Sequence, residues 1–429
     1  MFSKIISRRF LARKILQSVC GMLLTAAGTA SAIPFNSFDP RSFGMGGTGV
    51  ASGTSANAGF MNPALLAAAN KEEDFSLVLP IIGGRLMDRD NLMDEVDAYQ
   101  DSNLEANMTA AIDAFSIDPG NSAKAAAVAT EADALLTQLN KMSNKAIQGE
   151  LSGGFVIGVP SKKIGAALTV NAWAVGGGVL DVTSADNSLV GQIIADGNNS
   201  AAALATNSDI VAQAGGTDVV TKLTSAMFVR GAVIQEVSLA LAREYNVGGH
   251  DMAFGITPKY LKVTTFDYQV GVNTADFETD QGKKEYSDFN LDLGVAKDFA
   301  NGWKSGFVVK NVIAQEYQTV LGNTIKIEPQ ARLGVAHSTD WSTVAFDVDL
   351  NESEATGFDS KTQYAGFGVE LDVWDTLQLR GGYRHNMSDS DTSIVTVGAG
   401  LSPFGVHIDV AAIVSEDEVG GSVQMGFRF

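Results

Sequence analysis

The chain holds a single cysteine among 429 residues, Cys20, so no internal disulfide, Cys-x-x-Cys exchange centre or cysteine-built metal cluster can form. Histidine is almost as scarce. His250, His337, His385 and His407 are dispersed, and no serine or cysteine stands in a nucleophile-elbow context, which argues against an enzyme. Beyond the N-terminus no run reaches the ~18 to 20 apolar residues of a membrane-spanning helix. Basic residues number 30 against 49 acidic ones, a net charge of -19, and such acidity disfavours binding to nucleic acid phosphates. No metal or other cofactor is called for.

Residues 1–32 read as a secretory signal peptide. Lys4, Arg8, Arg9, Arg13 and Lys14 precede an apolar stretch from Ile15 to Ala27, and Ala30-Ser31-Ala32 supplies small residues for cleavage. Cys20 would leave with that segment, and the remainder would be more acidic still. Export across the inner membrane is the expectation.

What the chain has in abundance is strand-like alternation. Phe289, Leu291, Leu293 and Val295 share one face while Asn290 and Asp292 share the other. Val344, Phe346, Val348 and Leu350 alternate with Asp347 and Asp349; Phe367, Val369, Leu371 and Val373 with Glu370 and Asp372; Val406, Ile408 and Val410 with His407 and Asp409. About fourteen such segments run from near Phe75 to Phe429, joined alternately by short and long links. Short links are expected at 160–163, 246–250, 300–303, 338–341, 374–376 and 402–404, and long ones include 86–149 and 176–231. That rhythm belongs to an all-β transmembrane antiparallel barrel, whose apolar face meets lipid and whose polar face lines the lumen. The predicted division is a plug segment over 33–70 and the barrel over 71–429.

Two long links carry helical signals. Val128, Ala132, Leu135, Leu136, Leu139 and Met142 fall on one helical stripe, Asp118-Pro119-Gly120 breaks the segment, and Thr217-Asp218 could cap a short helix. Asp389, Asp391, Glu416, Asp417 and Glu418 read as solvated acidic loops rather than a divalent-cation site.

Gly44-Met45-Gly46-Gly47-Thr48-Gly49 matches the spacing of a dinucleotide fingerprint but lacks the βαβ unit that makes one work, so tight turns in a confined space are the better reading. Asn62-Pro63 reads as the start of a short helical turn before the first strand. Together, Arg41 to Ser52 and Asn62 to Ala67 resemble the plug of FadL/TodX-type outer-membrane transporters. With Phe75 to Pro80, Ile256 to Tyr260, Phe289 to Ala296, Asp347 to Leu350, Leu379 to Arg384 and His407 to Ala411, the chain is similar to the outer-membrane type of conjugal transfer protein TraF, not the thioredoxin-like protein of the same name.

The resemblance implies a fourteen-stranded barrel whose lumen is blocked by its N-terminal segment, with Gly44, Gly46, Gly47, Asn62 and Pro63 shaping the obstruction and a path for a hydrophobic small molecule. The alternation sets Asp292, Arg332, Glu370, Asp372, Arg380, Arg384, Asp409 and Arg428 on the interior face, more polar than a greasy ligand path requires. Pro258 cannot donate to a ladder, so a bulge is expected there. The terminal Phe429 resembles the signal read by the outer-membrane assembly machinery. Expected surroundings are outer-membrane lipid and lipopolysaccharide. Two functions stay open: a plugged channel, or an interaction protein supporting a conjugation or secretion apparatus.

Overall fold

Among the described residues, fourteen of sixteen strands close into one antiparallel barrel. The computed structural model describes residues 38–68, 75–213, 219–271, 282–353, 356–358, 361–374, 376–389 and 392–428; the expected signal peptide and Phe429 lie outside them. In chain order the strands are β1 (Ser76–Met87), β2 (Ala146–Val159), β3 (Gly165–Asp181), β4 (Ala226–Val247), β5 (His250–Gly271), β6 (Lys283–Asp298), β7 (Trp303–Lys310), β8 (Gln315–Gln318), β9 (Thr324–Ile327), β10 (Gln330–Ser338), β11 (Ser342–Asp349), β12 (Tyr364–Val373), β13 (Leu377–Asn386), β14 (Ser393–Leu401), β15 (Val406–Val414) and β16 (Glu418–Arg428). β8 and β9 form a separate hairpin. β1 pairs with both β2 and β16, so the cylinder has no free edge and its backbone groups can be satisfied within lipid.

Period-two patterning decides which way each side chain points. In β11, Val344 and Phe346 are 39% and 48% exposed while Ala345, Asp347 and Asp349 are buried. Phe367 and Leu371 of β12 and Ile408 and Val410 of β15 likewise face outward. An apolar outside with buried carboxylates inside is the pattern of a barrel in a bilayer. Phe346→Arg is therefore expected to cost about 2–4 kcal/mol in lipid-embedded unfolding measurements, the price of a charge near mid-membrane; a cost no larger than that of Asp340→Arg in the β10–β11 turn would place Phe346 in water.

The links alternate as the sequence implies, but the strands reach further into the long ones. β3 continues to Asp181 and β4 begins at Ala226, inside the stretch read as loop 176–231. Gly176, Gly177 and Gly178 stay in register with Gly231, Arg230 and Val229, so neighbouring strands override the poor strand propensity of glycine.

The expected bulge at Pro258 is absent. β5 keeps one register with β6 through Pro258↔Leu291, and with β4 it resumes the same register on either side, from Ser238↔Lys259 to Leu241↔Ile256. Proline removes a donor there without inserting a residue. The register shift falls instead in β1, between Val78 and Ile81 and against both neighbours, where Leu79 and Pro80 both face outward.

Outside the barrel the long links build a helical cap from α3 (Leu92–Asp101), α4 (Leu104–Ile117), α5 (Ser122–Met142), α6 (Ser184–Asn199), α7 (Ala201–Thr206) and α8 (Ser208–Gln213). The α5 stripe of Val128, Ala132, Leu135, Leu139 and Met142 is buried against Met108, Ile112, Phe115, Val190 and Ile193. Asn121 caps α5 just after the Asp118-Pro119-Gly120 break. Thr217-Asp218 lies outside the described residues, and Val219–Lys222 forms a 3₁₀ turn rather than an α-helix.

Asp186, which the sequence reading missed, ties α6 to the root of β4 by accepting hydrogen bonds from the amides and hydroxyls of Thr224 and Ser225. Burial works to raise its pKa, yet the four donors outweigh it and hold the carboxyl below its ordinary value. The folded pKa is thus below the unfolded one, so this stabilisation is present above about pH 4 and is lost as pH falls through the folded value. Protease cleavage within 182–225 is expected to stay slow until below about pH 4, and to be fast at neutral pH in Asp186→Ala.

Candidate lumenal site

Residues 38–68 lie inside the barrel as the plug, with two short helices, α1 (Pro40–Gly44) and α2 (Leu65–Ala68). Asp39 caps α1 through Ser42 N, and Asn62 caps the turn into α2 through Ala64 N. The turn between them needs Gly46 and Gly47, which adopt φ of +69° and +82°.

Wall side chains hold the plug by its backbone. Asp347 accepts from Gly49 N and Val50 N at 2.9 Å each, Thr396 Oγ1 accepts from Gly46 N at 3.0 Å, and Arg332 Nη1 donates to Gly47 O at 3.1 Å. Lys310 Nζ donates to Phe60 O at 2.6 Å, and in the reverse sense the plug's Asn62 Nδ2 donates to the wall carbonyl of Val295 at 3.1 Å.

The wall is also carved to fit. A Cβ added to Gly382 would stand 2.1 Å from Gly46 N, one on Gly366 2.4 Å from Gly46 O, and one on Gly306 2.1 Å from Val50 O. These glycines occupy inward positions where the pattern permits any small or polar residue. Only the plug's close approach explains them.

Two ionic clusters grip the lumen. Near the short-turn end, Glu370 meets Arg41 of the plug at 2.7 Å and Arg380 at 2.6 Å; Arg380 also meets Asp409 at 2.6 Å, to which Gln424 donates at 3.0 Å. Toward the long-loop end, Arg85 pairs with Glu150 at 2.6 Å and Glu418 at 3.0 Å, and Arg384 reaches Glu418 at 3.3 Å while its guanidinium covers the Tyr364 ring. Glu418, read from sequence as a solvated loop residue, is thereby buried, because the Arg85 guanidinium faces it across the β1–β16 ladder.

An apolar layer crosses the lumen beside these pairs. Gly83 stands level with Ser152, Trp173 and Ile234 on one side and with Ser422 and Ala411 on the other. Around that level one continuous cluster gathers Phe38 and Phe43 of the plug, Trp173, Ile234, Leu261 and Val263 of β3–β5, and Ile394 and Ile413 of β14 and β15. The β8–β9 hairpin folds inward and adds Tyr317, Ile325 and Ile327. It is tied down by Thr319 and Asn323, which donate to Asp267, and by Tyr286, which donates to Gln318 O. Phe43 and Ile394 also wall a small crevice over the plug turn, opposite Arg332, Arg384 and Asp347.

The structure gathers nearly every residue singled out from sequence into this lumen. Gly44, Gly46, Gly47, Asn62 and Pro63 sit in the plug against the wall, Asp292, Arg332, Arg380, Arg384 and Asp409 are buried on the inner face, and the Glu370 side chain beside them keeps 12% exposure. Asp292 pairs with Lys259 at 2.8 Å. Asp372 and Arg428 are half-buried near the short-turn rim, and Pro258 faces outward. The buried charges are engaged with one another and with the plug. Arg41, Asp347, Thr396, Arg85 and Glu150 were missed, although the inward phase of their strands marks Asp347, Arg85 and Glu150.

A family model described as "F plasmid transfer operon, TraF, protein" matches residues 59–349. The chain belongs to this family. Two solved structures share the fold of this TraF-family barrel: a TodX deltaS2S3 mutant monoaromatic hydrocarbon channel, 12% identical, covering 91% of this chain and 98% of that one with a TM-score of 0.52; and the P. putida toluene transporter TodX, 11% identical, covering 92% and 99% with a TM-score of 0.50. The comparison with curated proteins gave no match.

Proposed function

We propose that this TraF-family barrel is a plugged passage for small apolar molecules across the outer membrane. One observation carries the reading: an apolar layer built from the plug, five barrel strands and an inward hairpin spans a lumen that barrels of this type otherwise keep polar. A hydrophobic solute would be desolvated against Trp173, Leu261 and Val263 of the wall and Phe43 of the plug. The channels that share the fold are named for monoaromatic hydrocarbons and toluene, solutes as apolar as this layer.

Uptake of labelled toluene by cells carrying the barrel is expected to exceed that of cells with an empty outer membrane, and Ile234→Asp with Val263→Asp is expected to remove at least ten-fold of the excess. No excess in the intact protein would end this reading.

A second reading is favoured by the cap, whose own apolar core and 21-residue helix make it a substantial body outside the membrane. Loss of mating efficiency on deleting 94–148, with no uptake or conductance in any form, would support an interaction role in a conjugation apparatus.

A further inference from the structure

Between β7 and β10 the chain leaves the barrel wall and turns into the lumen as the β8–β9 hairpin, which pairs with no barrel strand. At its root Val312 N donates to Leu291 O, and Asn311 holds a left-handed φ of +53°. Beyond the root, its described hydrogen bonds to the wall run through side chains. Thr265 Oγ1 and Tyr286 Oη donate to Gln318 O at 3.3 Å and 2.6 Å, Lys284 Nζ donates to Thr319 O at 2.7 Å, and Asp267 accepts from Thr319 and Asn323. A strand in a ladder exchanges backbone bonds along its length, whereas a hairpin tied by a few side chains can lift without opening the barrel.

The tie at Asp267 is divided between two partners. Its Oδ2 takes Thr319 Oγ1 at 2.6 Å and Asn323 Nδ2 at 2.8 Å, while Arg230, directly opposite on β4, brings its Nε only to 3.5 Å of the same oxygen. A charge-assisted pair closes to about 2.7–2.9 Å. Arg230 Nε and the second carboxylate oxygen, Asp267 Oδ1, are both buried without a hydrogen-bond partner among the described residues. Buried polar groups are normally paired, and here an unmatched donor faces an unmatched acceptor. They would match each other if Asp267 turned from the hairpin to Arg230. The carboxylate thus has two alternative sets of partners and satisfies one of them.

We propose that the β8–β9 hairpin is the movable outer gate of the passage and that Asp267 is its latch, bonded to Thr319 and Asn323 when the gate is shut and to Arg230 when it is open. The inference rests on the passage reading and adds what opens the way. Opening strands no charge, because Arg230 takes the carboxylate that the hairpin gives up. Tyr317, Ile325 and Ile327 of the hairpin share one apolar cluster with Trp173, Leu261 and Val263 of the wall. Once the hairpin lifts, those wall side chains face water unless an apolar solute covers them, so such a solute binds the open form better than the shut one. An apolar solute therefore shifts the balance toward opening, and a polar one leaves it unchanged.

In a Cys20→Ser background, an Ile325→Cys thiol buried in the hairpin reports opening through its rate of reaction with a water-soluble methanethiosulfonate. Thr319→Val with Asn323→Ala, which removes the shut-state donors, is expected to raise that rate at least ten-fold. Arg230→Met, which removes the open-state partner, is expected to lower it at least three-fold, with heat-modifiable gel mobility retained in both variants. A contact that only supports the fold would loosen the hairpin in either case, so a rate that holds or rises in Arg230→Met, or holds in the Thr319/Asn323 pair, overturns the latch. Toluene is expected to speed the Ile325→Cys reaction several-fold and glycerol to leave it unchanged; no difference between them overturns opening by an apolar solute. Bridging Thr319→Cys to Asp267→Cys with a short bifunctional methanethiosulfonate is expected to cut toluene uptake at least ten-fold, with recovery on reduction, and undiminished uptake through the bridged barrel overturns the gate. If the intact barrel takes up no toluene, the passage reading fails, while the thiol rates still decide the latch.

Discussion

Glu370→Ala is expected to lower the unfolding free energy by about 3–5 kcal/mol, because it strands buried cations rather than merely deleting a contact. Glu370 receives Arg41 through Nε and Nη2 and Arg380 through Nε, and all three side chains are almost wholly buried. Without that carboxylate only Asp409 remains to balance the Arg380 guanidinium, and Arg41 keeps the Ser52 carbonyl alone among these contacts. Replacing the whole cluster with apolar side chains of similar volume would be far milder, since desolvation offsets most of the attraction in a buried pair. Urea unfolding in lipid, followed by the loss of heat-modifiable mobility, measures the difference. The Arg41→Ala/Glu370→Ala pair should be less damaging than the sum of its parts, because the double change removes the stranded charge along with its partner. Strict additivity would mean that Arg41 and Glu370 do not act as a pair.

Gly46→Val is expected to free the plug's first half while leaving the barrel closed. At φ +69° a β-branched residue is strained, and a Cβ there would stand 2.6 Å from Tyr383 O and 2.7 Å from Phe367 O, both wall backbone that cannot move aside. Displacement also breaks the Gly46–Thr396 hydrogen bond. Single-channel conductance should rise several-fold and residues near Gly46 should become open to protease. Gly248→Val is the control, since Gly248 has φ +60° but nothing within 4 Å of an added Cβ. If both variants behave alike, backbone strain alone is at work and the fit of plug to wall is immaterial.

The cylinder itself was legible because a bilayer outside and water inside impose the same two-residue rhythm on every strand, as Phe289-Asn290-Leu291-Asp292 displays. Strand ends were less so. Gly176 to Gly178 looks like a loop until β4 is there to pair with it, a partnership no local window contains. Pro258 misled for a related reason: a missing donor can be absorbed by a locally opened ladder, whereas Pro80 coincides with a true shift in register. Inward charges could be listed from phase, but their partners could not. Arg41 and Glu370 are 329 residues apart, and only the plug's path through the lumen brings them together.

β4 and β5 each run for 22 residues, whereas β11 has 8. A tilted strand needs about 9–11 residues to cross the hydrocarbon. The surplus on one flank therefore rises as a parapet well clear of the lipid tails, and the opposite flank ends near the headgroups. Such a lopsided rim gives the two flanks different neighbours: the low one borders the lipid headgroups, and the high one stands in bulk water.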